Sequence, residues 1–455
     1  MGDPQPTEQQ VDTARARAER DSKDTAHVRI MLGDAARGAY ELSPAGIAIG
    51  RDEGDVILDD GLISRRHVEI DRGPAGWRLT DLGSKNGGYV DGRRFQPKES
   101  VLLADGAVIR LGGSLLVFRA SPAVKDARSD AQPFPGVSPV AAEVRRRIDV
   151  LTMASGHALI LGETGTGKER VAHELAAPRK GLPFVAQNCG ELDRSLARAE
   201  LFGYVAGAFT GATQSKPGLI DAAGNGALFL DEIGELSLDV QVDLLRFLED
   251  GTYRPVAAPK TSCSTARVIA ATNVDLERAV AQGKFRRDLE ARLRASNEPL
   301  VLPPLRDRRE DIPQWTRRFA SEVDPSLTGE LWTVGALECL LLYPWLGNLR
   351  ELRGVVRALI ADRVALPCAT ERLPQRIQAH RDSLRGPRDE PVAPSREITQ
   401  AEIEEALRQT RGNVLGTARL LDVERTKLYR LFKDLGISPR RYRGPNDPGD
   451  DDEEG

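Results

Sequence analysis

Cysteine is rare in this sequence: Cys189, Cys263, Cys339 and Cys368 stand far apart and form no C-x-x-C pair. Neither a zinc knuckle nor a disulfide framework is supported, and the four are expected to be core or surface thiols. Long hydrophobic runs are missing too. No apolar stretch reaches the roughly 18 to 20 residues that a bilayer span requires, which argues against a membrane partner. The opening MGDPQPTEQQ is polar and acidic, without the apolar core of a secretion signal. These absences make a cytoplasmic protein the expectation.

What is present points to several domains. A chain of 455 residues exceeds one core and suggests about three domains at roughly 150 residues each. Apolar residues at 40% and charged residues at 29% describe a globular chain with solvated linkers. The net charge of −4 hides an asymmetry. Residues 411–443 carry nine Lys or Arg against three acids, whereas 447–455 (DPGDDDEEG) is strongly acidic. A basic segment of this kind suggests nucleic acid.

The pattern of apolar residues divides the chain. Residues 1–27 are charged, Ala-rich and poor in large apolar side chains, so they are expected to be a disordered tail. Residues 28–120 hold short alternating segments (HVRIML, GIAIGR, DVILDD, HVEIDR, GWRLTDLG, GGYVDG, AVIRLGG, SLLVFRA), a β-sandwich pattern. A Pro, Asp, Ala and Ser-rich linker is expected at 121–135. Buried apolar strands then alternate with helices over 136–302 (HALILG, PFVAQN, GALFLDEI, ARVIAATN), the rhythm of a parallel α/β sheet. Helical periodicity over 303–375 predicts a lid, 376–397 a second linker, 398–443 compact helices and 444–455 an acidic tail.

GETGTGKE runs from Gly162 to Glu169 between the strand HALIL and a helix, the context a phosphate-binding loop needs. The loop comprises Gly162, Glu163, Thr164, Gly165, Thr166, Gly167, Lys168 and Glu169. Its glycines let backbone N–H groups turn toward phosphates, and Lys168 supplies a point charge. Glu169 stands where the general pattern places Ser or Thr on magnesium. The strand GALFLDEI ends in Asp231 and Glu232, suited to holding Mg2+ (Asp231) and orienting the attacking water (Glu232). RVIAATN ends in Thr272 and Asn273, where a γ-phosphate sensor would sit. A glycine-rich turn without ligand is the bland alternative, and the paired carboxylates about sixty residues downstream weigh against it.

Over about three quarters of its length the chain resembles the sigma-54-dependent enhancer-binding activators, AAA+ ATPases whose phosphate loop usually reads G-E-x-G-T-G-K-E. The resemblance implies roles by position. Arg286 and Arg292 in FRRDLEARL match paired arginine fingers that reach a neighbouring subunit, Arg350 in WLGNLREL matches the lid arginine, and Asn188 in FVAQNCGEL matches an asparagine that holds the catalytic Glu232. Fingers acting in trans imply a homo-oligomer, commonly a hexamer. GAFTGA (Gly207, Ala208, Phe209, Thr210, Gly211, Ala212) matches the loop that contacts sigma-54 RNA polymerase, with Phe209 and Thr210 as the contact residues. The family's small Gly pair is replaced by Arg254-Pro255-Val256-Ala257-Ala258, so coupling to the loops is expected to differ.

The N-terminal segment resembles the forkhead-associated (FHA) domain, a phosphothreonine-binding module. Arg51, Ser64, Arg65 and Asn86 match its ligand contacts, and His67 matches an internal strut. Gly88 stands where that family often has Thr, which bears on loop rigidity. A phosphothreonine protein, or the chain's own tail with Thr7, Thr13 and Thr25, is the expected ligand. No receiver-like segment precedes the ATPase, so threonine phosphorylation is the expected input. TRGNVLGTARLLDVERTKLYRLFKDLGI resembles a Fis-type helix-turn-helix, with Arg425, Thr426, Lys427, Tyr429, Arg430 and Lys433 facing enhancer-like upstream DNA.

The expected fold is therefore multidomain: an all-β FHA sandwich, an α/β AAA+ P-loop ATPase with a helical lid, and an all-α helix-turn-helix. The expected function is an ATP- and Mg2+-dependent activator that remodels the closed sigma-54 promoter complex. Two alternatives remain open: a DNA-bound AAA+ regulator with another target or a repressor role, which the intact GAFTGA opposes, and an FHA scaffold with a degenerate ATPase, which the complete ATPase motifs oppose.

Overall fold

The computed structural model describes residues 25–32, 38–43, 45–124, 133–179, 181–385, 400–410, 414, 417, 421, 432 and 437–442. They fall in two compact units, Met1–Gly386 and Pro387–Gly455.

The first unit opens with β1 (Ala26–Leu32), β2 (Ala39–Leu42), β3 (Ile47–Gly50), β4 (Val56–Ile57), β5 (Val68–Gly73), β6 (Gly76–Asp81), β7 (Gly88–Val90), β8 (Arg93–Phe95), β9 (Ser100–Leu102), β10 (Val108–Leu111) and β11 (Ser114–Arg119). Two sheets, ordered β2-β1-β11-β10-β7-β8 and β4-β3-β5-β6-β9, form a sandwich. Alternation sets the inner face: in β6, Trp77, Leu79 and Asp81 are buried while Arg78 is exposed. Trp77 meets Phe118 of the opposite sheet with ring centroids 6.0 Å apart. The segments read from alternation are strands. β2, β8 and β9 were not among them, and each lies at a sheet edge, where one unpaired side permits short, polar-rich sequence.

The α/β core follows with α1 (Pro139–Met153), β12 (Ala158–Leu161), α2 (Lys168–Leu175), β13 (Phe184–Asn188), α3 (Ala197–Phe202), α4 (Leu219–Ala223), β14 (Ala227–Asp231), α5 (Leu238–Asp250), β15 (Thr252–Tyr253), β16 (Ser262–Cys263), β17 (Arg267–Thr272), α6 (Leu276–Ala281), α7 (Arg287–Ser296) and β18 (Leu300–Val301). The main sheet runs β13-β14-β17-β12-β18, and its pairings are parallel. Helices cover both faces, so β17 is buried along its whole length. Ser138 caps α1, accepting the Ala141 N–H at 3.0 Å. Phe134, inside the stretch expected to be linker, is only 1% exposed and belongs to this core.

The lid comprises α8 (Ile312–Val323), α9 (Val334–Leu342), α10 (Asn348–Ala361) and α11 (Gln375–Leu384). The helix α11 occupies the first part of the segment expected to be linker from 376. Its Gln, Arg and His content hides the helix, which is anchored by the fully buried Ile377. Cys189, Cys339 and Cys368 are buried free thiols and Cys263 is exposed.

In the second unit α12 (Gln400–Gln409) contributes Ile403 and Leu407 to a small cluster with Val414 and Phe432. Thr410 and Thr417 share a hydroxyl hydrogen bond at 2.6 Å. The expected DNA-facing residues Arg425, Thr426, Lys427, Tyr429, Arg430 and Lys433 lie outside the described residues. No helix among the described residues is long and apolar enough to cross a membrane.

Candidate functional site

The C-terminal ends of the parallel strands open into a cleft of about 430 Å³, the place where open α/β sheets ordinarily bind ligands. Thr164 to Arg170 line one side and Asp231, Glu232 and Asn188 another. Gly167 takes φ 106°, a left-handed turn that brings the N-terminus of α2 toward the cleft. Lys168 donates to the Gly162 and Glu163 carbonyls at 3.0 and 3.3 Å. Burial, with Arg350 nearby, holds its ammonium below the ordinary range, and Asp231 and Glu232 offset part of that shift. An anionic ligand would meet a cation whose two hydrogen bonds go to backbone carbonyls.

Glu163 belongs to the loop motif but does not line the cleft. Its carboxylate takes a bidentate pair from Arg306 at 2.9 and 2.6 Å and a bond from Asn348 Nδ2 at 3.1 Å. Asn348 also donates to the Thr164 carbonyl at 3.0 Å, and the Leu349 N–H donates to the Gly165 carbonyl at 3.0 Å. The phosphate loop is thus bound to the lid through Glu163. Neither Arg306 nor Asn348 stood out in the sequence.

Asn188 Oδ1 accepts the Gly190 N–H at 2.9 Å. Glu232 comes close by with φ 54°, and a Cβ on Gly190 would lie 2.8 Å from Glu232 Oε2 and 3.3 Å from Asn188 Oδ1. Asn188 and Glu232 therefore share a corner without bonding to each other. Asp231 Oδ1 accepts the Glu232 N–H at 2.9 Å. Asn273 donates to the Thr164 hydroxyl at 3.1 Å. Glu169 and Arg350 line the cleft, as do Pro133, Phe134, Trp315 and Phe319. These apolar residues went unnoticed because linker and lid bring them together only in three dimensions.

Arg286 and Arg292 do not line the chain's own cleft. Arg286 pairs with Asp288 at 2.6 Å on the surface, and Arg292 donates to the Leu248 carbonyl at 2.9 Å. The GAFTGA segment is a tight loop. Gly207 and Gly211 have φ of 83° and 99°, and the Gly207 N–H donates to the Ala212 carbonyl at 2.8 Å. Gly207 and Thr210 are exposed, Ala208 is half-buried and Ala212 is buried. Phe209 is 39% exposed and rests on Tyr204, 4.9 Å away. Tyr204 is bridged to both Lys216 and Val256, so the loop's base is tied to the Arg254–Ala258 segment.

On the sandwich, loops bring together Arg51, Ser64 and Asn86. The Arg51 N–H donates to the Ser64 carbonyl at 3.0 Å, while its guanidinium pairs with Asp52 at 2.9 Å. Ser64 Oγ accepts the Lys85 N–H at 3.1 Å, so its hydroxyl hydrogen is available to donate. Asn86 Nδ2 donates to the Leu62 carbonyl at 2.8 Å. Arg65 is exposed, with Glu53 3.8 Å away. His67 is fully buried, its Nδ1 accepting from the Ser64 N–H and its Nε2 bonding the Gly87 carbonyl at 3.1 Å. Burial lowers its pKa and keeps it a neutral strut between the two loops.

The sigma-54 interaction domain family matches residues 134–297, the FHA domain family 47–112 and the AAA+ ATPase lid domain family 306–389. The DNA-binding transcriptional regulator NtrC of Rhizobium meliloti is 35% identical over 354 residues, covering 70% of this chain and 72% of that protein. The anaerobic nitric oxide reductase transcription regulator NorR of Escherichia fergusonii is 37% identical over 330 residues, covering 68% of this chain and 65% of the relative. The crystal structure of NtrX from Brucella abortus in complex with ADP superposes with a TM-score of 0.50 at 29% identity, covering 67% of this chain and 70% of that one. The chain belongs to the sigma-54-dependent transcription activator family of AAA+ ATPases, and it carries an FHA domain beside the ATPase.

Proposed function

We propose that this protein binds upstream DNA through its C-terminal helices, assembles into a ring, and uses ATP hydrolysis to drive the Gly207–Ala212 loop against sigma-54 RNA polymerase, remodelling the closed promoter complex. The observation that carries this proposal is the shared cleft of Lys168, Asp231, Glu232 and Arg350 in a domain whose GAFTGA loop stays exposed. Asp231 fits a magnesium ion arriving with phosphates, since magnesium is ordinarily held by one or two carboxylates with phosphate and water completing its shell. When bound, it would neutralise charge on the transferring phosphoryl group. Lys168 and Arg350 meet the phosphates, Glu232 orients the water, Asn188 steadies that corner, and Arg286 and Arg292 act on a neighbouring subunit's nucleotide.

The input is phosphothreonine: Arg51 and Ser64 bind the phosphate, Arg65 adds a contact, and Asn86 holds the peptide backbone. The ligand is a phosphoprotein or the chain's own tail, and the setting is the cytoplasm. Thr210→Ala tests the output. It should retain ATP hydrolysis and lose promoter opening with sigma-54 polymerase; opening at the wild-type rate would remove the loop from the mechanism. Alanine at Thr7, Thr13 and Thr25 tests the tail, since unchanged kinase-dependent activation would rule it out as the ligand.

A further inference from the structure

Three adjacent sandwich strands are buried on both faces. The inward set of β1, β10 and β11 (Val28, Ile30, Ile109, Leu111, Leu116, Phe118) fills the sandwich core. The outward set (Met31, Val108, Leu115, Val117) belongs instead to one apolar cluster with lid residues such as Leu337, Leu341 and Trp345. A run like SLLVFR, buried at every position, is what strands covered on both faces show.

Several ion pairs cross this junction, and one of them, Arg119 with Glu310, is dry. Arg119 forms a bidentate pair with Glu310 at 2.7 and 2.5 Å and reaches the Asp307 carbonyl at 2.7 Å. Their side chains are 4% and 0% exposed. Asp105, on the sandwich, takes the remaining face of Arg119 at 2.9 Å. Arg110 reaches the buried Glu338 at 3.1 Å. Arg309 donates to Asp91 and to the Gly106 carbonyl at 3.0 and 3.1 Å.

The turn that holds Glu310 also touches the nucleotide cleft. Arg306 grips Glu163 of the phosphate loop. Arg308, fully buried and without a hydrogen-bond partner, lies over the Phe134 ring with its guanidinium carbon 4.2 Å from the centroid. Asp311 accepts from the Val137 and Ser138 N–H groups and the Ser138 hydroxyl at 2.6, 2.8 and 2.8 Å, fixing the start of α1. One turn, 305–312, thus contacts the sandwich, the phosphate loop and the cleft wall. Arg51 and Arg65 stay outside this junction and reach solvent.

We propose that the FHA sandwich is a fixed extension of the ATPase lid, docked through the outer face of β1, β10 and β11, and that this docking sets ATP affinity through the turn at 305–312. Arg119 is a positioning residue here: it holds Glu310, and Glu310 holds the turn. The inference rests on the cleft being the ATP site, which nucleotide binding by the wild-type chain tests separately.

The test uses the full chain, with a fluorescent ATP analogue, steady-state hydrolysis, and hydrogen exchange over 334–342 as the report of docking. Arg119→Leu strands Glu310 without its partner, so exchange should rise, and Kd and KM should rise about fivefold or more while kcat changes less. Arg119→Leu/Glu310→Leu replaces the pair with apolar groups, which buried sites of this kind tolerate, and should restore both readings. If Arg119→Leu fails to fold, Arg309→Ala loosens the same junction and should shift both readings in the same direction. Arg78→Ala, on an exposed pair elsewhere in the sandwich, should shift neither. Raised exchange with unchanged Kd and KM would overturn the coupling, and unchanged exchange would overturn the anchoring role of the pair. A double variant that redocks yet stays weak for ATP would overturn the proposal as well. A wild-type chain that bound no nucleotide would overturn the ATP-site reading beneath it.

Discussion

His157 shows how a single residue ties the sheet's stability to pH. Its Nδ1 accepts the Val268 N–H at 3.0 Å, a bond that only the neutral ring can take. Burial, with the charge of Arg292 next, pushes its pKa down from 6.5 to about 4. The unfolded chain binds a proton near pH 6.5 that the folded chain refuses. Stability from this group is therefore complete above pH 6.5 and lost as pH falls toward 4, on the order of 3 kcal/mol in all. Thermal midpoints at pH 5.0 and 7.5 should differ more in wild type than in His157→Gln. At the cleft, Glu232→Gln should keep ATP binding and lower kcat by about 100-fold or more, measured by steady-state hydrolysis. Glu163→Gln should raise KM only roughly two- to fivefold, because its pair with Arg306 is partly solvent-exposed. That residue also marks a limit of legibility. The string GETGTGKE located the loop, but nothing in it says that the Glu163 carboxylate turns toward Arg306 and Asn348, which lie well over a hundred positions downstream.

Strands buried on both faces were the easiest elements to recognise, since ALIL, ALFLD and RVIAAT read as nearly continuous apolar runs, whereas FVAQN, at the sheet edge, is only half-buried. Short edge strands such as β8 (RRF) carried no pattern, and α11 was masked by its polar composition. The segment Arg254–Ala258 was visible as a departure from the family, and its geometry gives that departure a cause. Ala257 adopts φ 59°, a left-handed conformation that costs an L-residue roughly 1 to 2 kcal/mol. Ala257→Gly should relieve part of that strain and raise the thermal midpoint by about 1 to 3 °C, against the greater backbone entropy that glycine loses on folding. The same variant should loosen the base of the GAFTGA loop, because Val256 bridges to Tyr204. An unchanged or lowered midpoint would mean that the strain at Ala257 does not exceed the backbone entropy that glycine loses on folding.

At the scale of the whole molecule, the cleft proposed to hold nucleotide and the loop proposed to meet the polymerase lie in one domain, while Arg286 and Arg292 do not line that cleft. ATP hydrolysis per subunit should therefore rise with protein concentration, and mixing Arg286→Ala with Lys168→Ala chains should recover activity that neither shows alone. The FHA domain and the ATPase could be read from separate strings, but their joint could not, because Arg119 and Glu310 are 191 positions apart and each alone looks like surface charge. The most direct measurement is promoter melting, followed by single-strand reactivity at the start site, with sigma-54 polymerase, this protein and either ATP or a non-hydrolysable analogue. Melting is predicted with ATP alone, and not when polymerase carries a different sigma factor. ATP hydrolysis at full rate with the sigma-54 promoter left closed would contradict the proposed activator role.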